Sequence, residues 1–179
     1  NSYYISETQA PYAYYRNSSD VYSFAFNYLP ETTAKAAFTH TFKNDRTTAK
    51  IHIYKVDKET GKAVPQGDAK LEGAVYGLYA RDDIAHPDGA TGIIFHAGDL
   101  VATLTTDEGG NAEVNNLYLG NYYVKEITPP EGYLLDEEEH DVVCDYEGDL
   151  VAEVSRSTTS AEQVIKQPFQ LIKVSDNGD

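Results

Sequence analysis

Short runs of alternating apolar and polar residues recur along the chain, separated by clusters of Gly, Asp and Asn. Such runs predict β-strands, because successive side chains of a strand point to opposite faces, and no long stretch shows a helical period. The spacing favours an all-β chain folded as a β-sandwich of about seven strands. Besides the opening run Ile51–Val56, the predicted strands are Gly73–Ala80, Gly92–Phe95, Asp99–Thr106, Ala112–Leu117, Asn121–Ile127, Glu139–Tyr146 and Asp149–Ser155.

Two of these runs occur twice. Tyr3–Tyr14 recurs as Tyr122–Tyr133, with both leading tyrosines, the Glu, a Pro and the last Tyr in the same places. Ile51–Val56 recurs as Phe169–Val174 with the same apolar spacing and the same Lys. Self-similarity at a fixed distance is typical of tandem repeat proteins.

The two echoes divide the chain into three predicted units. Residues 1–48, the leading segment, are the C-terminal part of a preceding repeat. Residues 49–168, the central unit, are a complete repeat, and residues 169–179, the trailing segment, are the opening strand of a following one. Because about three strands are too few for an independent core, we expect residues 1–48 to pack against the central unit, recruit a strand from another chain or be partly disordered.

Composition and charge exclude some classes of function. The 179 residues include 14 Lys and Arg against 29 Asp and Glu, a net charge of -15. A surface this acidic repels phosphate backbones and anionic lipid, which argues against nucleic-acid binding and membrane docking. The single Cys144 cannot form an internal disulfide and is expected to be a small core residue. With no initiator Met and no signal segment in the sequence, we expect a piece of a longer protein.

Two charged residues occupy apolar strand faces. Lys55 shares a face with Ile53, and Glu126 shares one with Val124. Either the two charges form a salt bridge at a sheet edge, or they lie at strand ends that have already reached water, or both are buried. Burial lowers the pKa of a Lys and raises that of a Glu, so the amine could become neutral and nucleophilic beside a protonated carboxyl.

The repeats favour the buried alternative, because Glu7 and Lys173 occupy the same strand phase as Glu126 and Lys55. A neutral amine can attack a carboxamide. With an Asn side chain against Lys55 and Glu126 as proton shuttle, ammonia would leave and a permanent amide would remain.

The sequence resembles the collagen-adhesin B-type, SpaA-like pilin domain over nearly all of residues 49–174. The segments that carry the resemblance are Ile53–Lys62, Gly73–Tyr79, Val101–Asp107 and Tyr122–Tyr133. The resemblance implies a prealbumin-like, Ig-like Greek-key β-sandwich. It also implies an extracellular setting, in a cell-wall-anchored surface protein or pilus shaft of a Gram-positive bacterium.

The same resemblance implies an intramolecular isopeptide bond between a first-strand Lys and a last-strand Asn, sometimes Asp, promoted by the Glu of the Tyr-Tyr-Val-Lys-Glu segment. Lys55 matches the nucleophile and Glu126 the catalytic Glu. In the leading segment Glu7 matches the Glu and Asn44 the acceptor, whereas that unit's Lys is expected upstream of residue 1. Lys173 matches the Lys that opens the next unit.

The acceptor position of the central unit departs from the family pattern. Counting from Asn44, it falls on Glu162 or Gln163, and neither is Asn or Asp. Condensation with a Glu would release water, not ammonia. Two outcomes therefore stay open, a Lys55 crosslink and a buried or half-buried ion pair of Lys55 and Glu126.

Other motifs add no chemistry. Leu29–Thr32 resembles a sorting signal without its Gly and is expected to be a turn, and the acidic run Asp136–Asp141 is expected to be a solvated loop and not a calcium site. The five His residues lack zinc-ligand spacing, and there is no phosphate loop or nucleophile elbow. We therefore expect no metal, no cofactor and no enzyme, any crosslink being a single self-modification.

Two function classes remain. The first is a structural stalk module whose partners are the neighbouring repeats of the same protein. The second is an adhesin domain that binds a host extracellular matrix protein or a glycan, through residues 80–98 or the tyrosines at 12–15. A clustered apolar surface patch would favour the second class.

Overall fold

The computed structural model describes residues 1–26 and 37–173. The Leu29–Thr32 motif and residues 174–179 of the trailing segment lie outside this range. Within it the regular elements are all β-strands, and no helix could cross a membrane. The strands are β1 (Ser2–Ser6), β2 (Tyr14–Tyr15), β3 (Val21–Ala25), β4 (Asp45–Arg46), β5 (Thr48–Asp57), β6 (Val75–Ala80), β7 (Ile84–Ala85), β8 (Ile93–Phe95), β9 (Leu100–Thr105), β10 (Asn111–Leu117), β11 (Gly120–Thr128), β12 (Glu139–Cys144) and β13 (Glu153–Glu162).

Seven strands of the central unit form the two sheets of a sandwich. One sheet has the order β10-β5-β13 and the other the order β12-β11-β6-β9. In the first sheet β5 lies in the middle, antiparallel to β10 and parallel to β13. The predicted all-β sandwich of about seven strands is therefore confirmed. The short strands β7 and β8 form a separate antiparallel pair.

The core lies between the inner faces of the two sheets, as the alternation of the strands requires. Side chains that are at most 1% exposed include Ile51 and Ile53 of β5, Tyr76 of β6, and Tyr122 and Val124 of β11. The free Cys144 of β12 is also fully buried, so its prediction as a core residue is confirmed.

The last strand begins and ends later than predicted. It was expected over Asp149–Ser155, whereas β13 runs from Glu153 to Glu162. Its second half is rich in Ser and Thr and lacks the apolar alternation that marks a strand in sequence. The pairing comes instead from β5, with which β13 is in parallel register over its whole length.

The leading segment repeats the strand pairing of the central unit. In the β1–β3 hairpin Tyr3 is opposite Phe24, and at the equivalent place in β11–β12 Tyr122 is opposite Val142. Both pairs are antiparallel, and the register is the same along each hairpin. Two separate stretches of sequence therefore adopt one local structure.

A second pairing is also repeated. Ala13 and Gly132 both have positive φ, 63° and 88°, and each carbonyl oxygen accepts a 2.8 Å hydrogen bond, from Thr47 and Ile165 respectively. Gly fits this left-handed backbone, whereas the Cβ of Ala13 is strained there.

The leading segment packs against the end of the sandwich where β5 begins. Arg16 Nε lies 3.2 Å from Asp149 Oδ2, and the backbone amide of Ala10 donates to the same carboxylate at 3.1 Å. Arg46 donates to the carbonyl oxygen of Leu117 at 2.7 Å. These polar contacts hold Ala10, Arg16 and Arg46 on the central unit.

Candidate functional site

Three ionisable side chains meet in the interior of the sandwich. Lys55 projects inward from the middle strand β5, Glu126 from β11 of the facing sheet, and Glu162 from the end of β13. Lys55 Nζ lies 3.8 Å from Glu126 Oε1 and is in direct contact with Glu162 Oε2. All three side chains are fully buried. The structure thus brings together three residues that the sequence singled out.

The parallel register of β5 and β13 places Glu162 at the site. Lys55 is opposite Ser160 and Asp57 is opposite Glu162, so the carboxylate lies beside the amine on the same inner face. Gln163, the other residue at the predicted acceptor position, lies beyond the end of the strand. Its Nε2 donates to Glu59 Oε1 at 2.6 Å, outside the buried cluster.

Two hydroxyl groups orient the Glu162 carboxylate. Tyr76 donates to Glu162 Oε1 at 2.8 Å, and Ser160 Oγ shares its one proton between the same oxygen at 3.3 Å and Asp136 Oδ2 at 3.0 Å. Oε2 is thereby left facing the Lys55 amine. Burial raises the pKa of the Tyr76 hydroxyl, which keeps it a neutral donor. The sequence did not single out either hydroxyl. Tyr76 lies in Gly73–Tyr79, a segment that carries the family resemblance but no assigned role, and Ser160 lies in a polar run outside the predicted strand.

Glu126 is held by one oxygen and presents the other. The backbone amide of Asp136 donates to Glu126 Oε2 at 2.9 Å, whereas the buried Oε1 has no hydrogen-bond partner among the described residues. This free oxygen is the one that faces Lys55. The ring of Tyr133 covers the amine from another side, with its centroid 4.8 Å from Nζ.

Burial shifts both titrating groups toward their neutral forms. It lowers the pKa of Lys55 to about 8, against the attraction of Glu126 and Asp136. Burial also raises the pKa of Glu126, opposed by the Asp136 amide and by Lys55. A neutral amine is a nucleophile and a neutral carboxyl is a proton donor, and both groups lie beside the carboxylate of Glu162 or the amine it contacts.

The acidic run at 136–141 is exposed at four of its six residues, as expected of a solvated segment, whereas Asp136 and His140 are half-buried. Asp136 Oδ2 lies 2.9 Å from His140 Nε2 and accepts a hydrogen bond from Ser160 Oγ at 3.0 Å, and β12 begins at Glu139. One ligand atom from each of Asp136, Glu138 and His140 lies within 4.8 Å of the others. Internal hydrogen bonds already engage the Asp136 carboxylate, which argues against a metal ion there. The absence of a metal stays a prediction.

The leading segment holds a similar pair without a lysine. Asn44 Nδ2 donates to Glu7 Oε1 at 2.8 Å, and both residues are half-buried. They stand at the positions equivalent to Glu162 and Glu126. Among the described residues no lysine ammonium reaches Glu7, and Lys173 is exposed.

Comparison with known proteins identifies the fold. A family model described as SpaA, prealbumin-like fold domain, matches residues 49–158. No protein with a curated description matches the chain. Among solved structures, the Bacillus anthracis TIE protein is 24% identical with a TM-score of 0.60, and the match covers 92% of this chain and 25% of that one.

Two further structures match less of the fold. The pilus 2b backbone protein of group B streptococcus is 21% identical with a TM-score of 0.45, covering 68% of this chain and 43% of that one. GBS52, the minor pilin of Streptococcus agalactiae, is 23% identical with a TM-score of 0.44, covering 71% and 49%. The chain therefore spans between a quarter and a half of the length of these three proteins.

Proposed function

Because the chain belongs to the SpaA family of prealbumin-like domains, we propose that it is a structural module in the stalk or shaft of a cell-wall-anchored surface protein or pilin. Its setting is the extracellular face of a Gram-positive bacterium, and its partners are the neighbouring repeats. The buried cluster of Lys55, Glu126 and Glu162 carries this proposal, because it joins the first strand of the sandwich to the last.

The cluster is a site of self-crosslinking. Proton transfer within the Lys55–Glu162 pair gives an amine and a carboxylic acid, and Nζ attacks Cδ of Glu162. Protonated Glu126 delivers its proton to the departing hydroxyl group and takes one back from the nitrogen. One C–N bond forms, one C–O bond breaks, one water leaves, and Glu126 returns to its starting state. Tyr76, which donates to Glu162 Oε1, stabilises the negative charge that develops on that oxygen.

Burial favours the amide over the ion pair. Two charges in a protein interior cost several kcal/mol each in lost hydration, which their attraction only partly offsets. The amide carries no charge, and the released water returns to solvent. The reaction occurs once in each chain and turns over no substrate, so the module is not an enzyme in the ordinary sense.

The position of the bond suits a module under tension. Force enters the central unit near residue 48, where β5 begins, and leaves after β13. A bond between Lys55 and Glu162 carries the load directly from β5 to β13. Residues 56–161 then form a closed loop that pulling cannot extend.

Peptide mapping tests the crosslink. After digestion of the denatured chain, we expect one branched peptide that joins the Lys55 and Glu162 segments. Glu126→Gln should abolish it, because Gln cannot shuttle the proton. The matched control Glu139→Gln changes an exposed carboxylate and should leave the branched peptide intact. Equal yields from the two variants would contradict the role of Glu126.

A cavity supports the alternative of a ligand-binding adhesin domain. It has a volume of about 320 Å³, and both segments singled out for that role, the tyrosines at 12–15 and residues 80–98, contribute to its lining. The walls include Tyr12, His86, Tyr118 and Tyr146. Aromatic rings beside a few polar groups suit a glycan ring or a side chain of a host protein. Titration with neutral oligosaccharides tests this function, and Tyr118→Ala should remove any binding that occurs in this cavity.

A further inference from the structure

One residue of the acidic run turns into the sandwich. Asp136 is half-buried in the connection between β11 and β12, and both of its carboxylate oxygens are engaged. Oδ1 accepts a 3.0 Å hydrogen bond from the backbone amide of Glu138. Oδ2 lies 3.0 Å from Ser160 Oγ and 2.9 Å from His140 Nε2. Contacts to its own turn, to β12 and to β13 therefore fix the position of Asp136.

Asp136 contacts Glu126 through the main chain. Its backbone amide donates to Glu126 Oε2 at 2.9 Å, and the other oxygen, Oε1, lies 3.8 Å from Lys55 Nζ. Without this hydrogen bond the Glu126 carboxylate would be free to turn, because the last torsion of a Glu side chain has broad energy wells. The direction in which Glu126 presents Oε1 therefore depends on where Asp136 lies.

Asp136 also reaches Glu162, through one hydroxyl group. Ser160 Oγ bridges the two carboxylates, 3.0 Å from Asp136 Oδ2 and 3.3 Å from Glu162 Oε1. Glu126 and Glu162 come from different sheets, on β11 and β13 respectively. Asp136 therefore links the two carboxyl groups of the buried cluster across the sandwich.

The charge of Asp136 acts on the same cluster. Although burial favours the neutral form, hydrogen bonds with His140, the Glu138 amide and Ser160 lower the pKa of Asp136, so it is ionised at neutral pH. Burial raises the pKa of Glu126, the Asp136 amide and Lys55 oppose this rise, and the negative charge of Asp136 adds to it. An ionised Asp136 thus favours the protonated form of Glu126, because like charges in a protein interior repel. The charged or titratable side chains around Asp136 are Lys55 of β5, Tyr76 of β6, Glu126 of β11, His140 of β12 and, beyond Ser160, Glu162 of β13.

We propose that Asp136 is a positioning residue of the crosslinking site, which orients Glu126 through its amide and Glu162 through Ser160. This role rests on the proposed function, because the crosslink is the reaction that the two carboxyl groups serve. Asp136 acts through its neighbours, and none of its own bonds forms or breaks. An aspartate suits the position because its two acceptor oxygens serve different partners, whereas an asparagine offers one acceptor oxygen.

The rate of crosslinking in the full chain tests this role. A short pulse of cell-free translation, followed by a chase at pH 7, gives the rate at which the intact mass loses one water. We expect Asp136→Asn to slow this loss at least about tenfold, because reacting groups that are misplaced lose much of the advantage of proximity. The matched control Glu137→Gln removes the neighbouring exposed carboxylate and should keep the wild-type rate. Equal rates for Asp136→Asn and the wild type would overturn the role of Asp136.

The titration of Glu126 separates this role from a general loss of stability. Carboxyl ¹³C NMR of the folded full chain follows the group, with Glu126→Gln identifying its signal. We expect the pKa of Glu126 to fall by at least about half a unit in Asp136→Asn, because a nearby negative charge is removed, and to stay unchanged in Glu137→Gln. An unchanged titration in Asp136→Asn would overturn the proposal, even if crosslinking slowed.

This titration does not depend on the crosslink. A wild-type chain of unmodified mass, whose Glu126 titration shifts in Asp136→Asn, would contradict the proposed crosslink and support the placement of Asp136. A crosslinked wild type, with an Asp136→Asn chain that reacts and titrates like it, would contradict the role of Asp136 and leave the crosslink standing.

Discussion

The leading segment and the central unit share a strand pattern but differ in what covers it. Tyr122 and Val124 of β11 are at most 1% exposed, whereas their counterparts Tyr3 and Ile5 of β1 are 46% and 48% exposed. The hairpin register is the same in both. Local pairing therefore forms without the second sheet, and burial depends on β5 and its neighbours.

The same difference separates the two polar pairs. Glu126 faces a lysine in a dry interior, where burial raises the pKa of its carboxyl. Glu7 is half-buried and accepts a hydrogen bond from an amide, with no lysine among the described residues. A buried lysine beside the carboxylate therefore distinguishes the Glu126 site from the Glu7–Asn44 pair.

Removing Lys55 should change the stability of the central unit more than any other substitution considered. Lys55→Met prevents the crosslink and leaves Glu126 and Glu162 buried without a cation, and we expect a loss of at least about 3–5 kcal/mol in the free energy of unfolding, measured with urea. The matched change Lys173→Met affects an exposed side chain and should leave the unfolding curve of the monomer unchanged. A similar loss in both variants would show that burial does not distinguish the two lysines.

Truncating the equivalent tyrosines measures how much each strand pair depends on a closed core. Tyr122→Ala should cost about 3–5 kcal/mol, because it leaves a cavity in the core. Tyr3→Ala should cost far less, since nearly half of that side chain already contacts water. Urea unfolding followed by tyrosine fluorescence measures both changes. Equal costs would mean that the leading segment has a closed core of its own.

Exchanging Gly and Ala at the repeated left-handed turn should have opposite effects in the two units. Gly132→Ala places a Cβ 2.6 Å from that of Ala69 at a φ of 88°, so we expect it to destabilise by at least about 1–2 kcal/mol. Ala13→Gly relieves the strain at a φ of 63° and should stabilise by up to about 1 kcal/mol. Thermal unfolding of the two variants tests the signs, and a stabilised Gly132→Ala chain would contradict them.

The titration of Glu126 should have the smallest effect on the free energy of unfolding. Burial raises its pKa in the folded state above the ordinary value of 4.5, so the folded chain binds the proton more tightly than the unfolded one. Its stabilising contribution is complete below pH 4.5 and is lost as the pH rises through the raised pKa. Compared with Glu126→Gln, which does not titrate, the wild type should lose stability over that range. Calorimetry of both from pH 4 to pH 8 measures the difference, and parallel profiles would contradict a raised pKa.

Alternation along the strands was enough to predict the sandwich and the buried faces. Lys55 and Glu126 interrupt apolar faces at fixed phase, and their repetition in Lys173 and Glu7 distinguished them from ordinary surface charges. Because side chains of a strand alternate strictly, this inference needs only the correct strand and not its exact ends.

Sequence reasoning failed where tertiary pairing overrides local pattern. The polar second half of β13 reads as a loop, and it becomes a strand only because β5 pairs with it. The choice between Glu162 and Gln163 depends on that pairing, as do the hydrogen bonds from Tyr76 and Ser160. The Asp136 amide that holds Glu126 comes from a segment whose charge alone predicts solvent exposure.

The accurate intact mass of the denatured chain shows whether Lys55 and Glu162 are joined. We expect a mass one water lighter than the sequence requires, with the deficit absent from Glu126→Gln. An unmodified mass in fully folded wild-type protein would contradict the crosslink, and Lys55 and Glu162 would then be a buried ion pair.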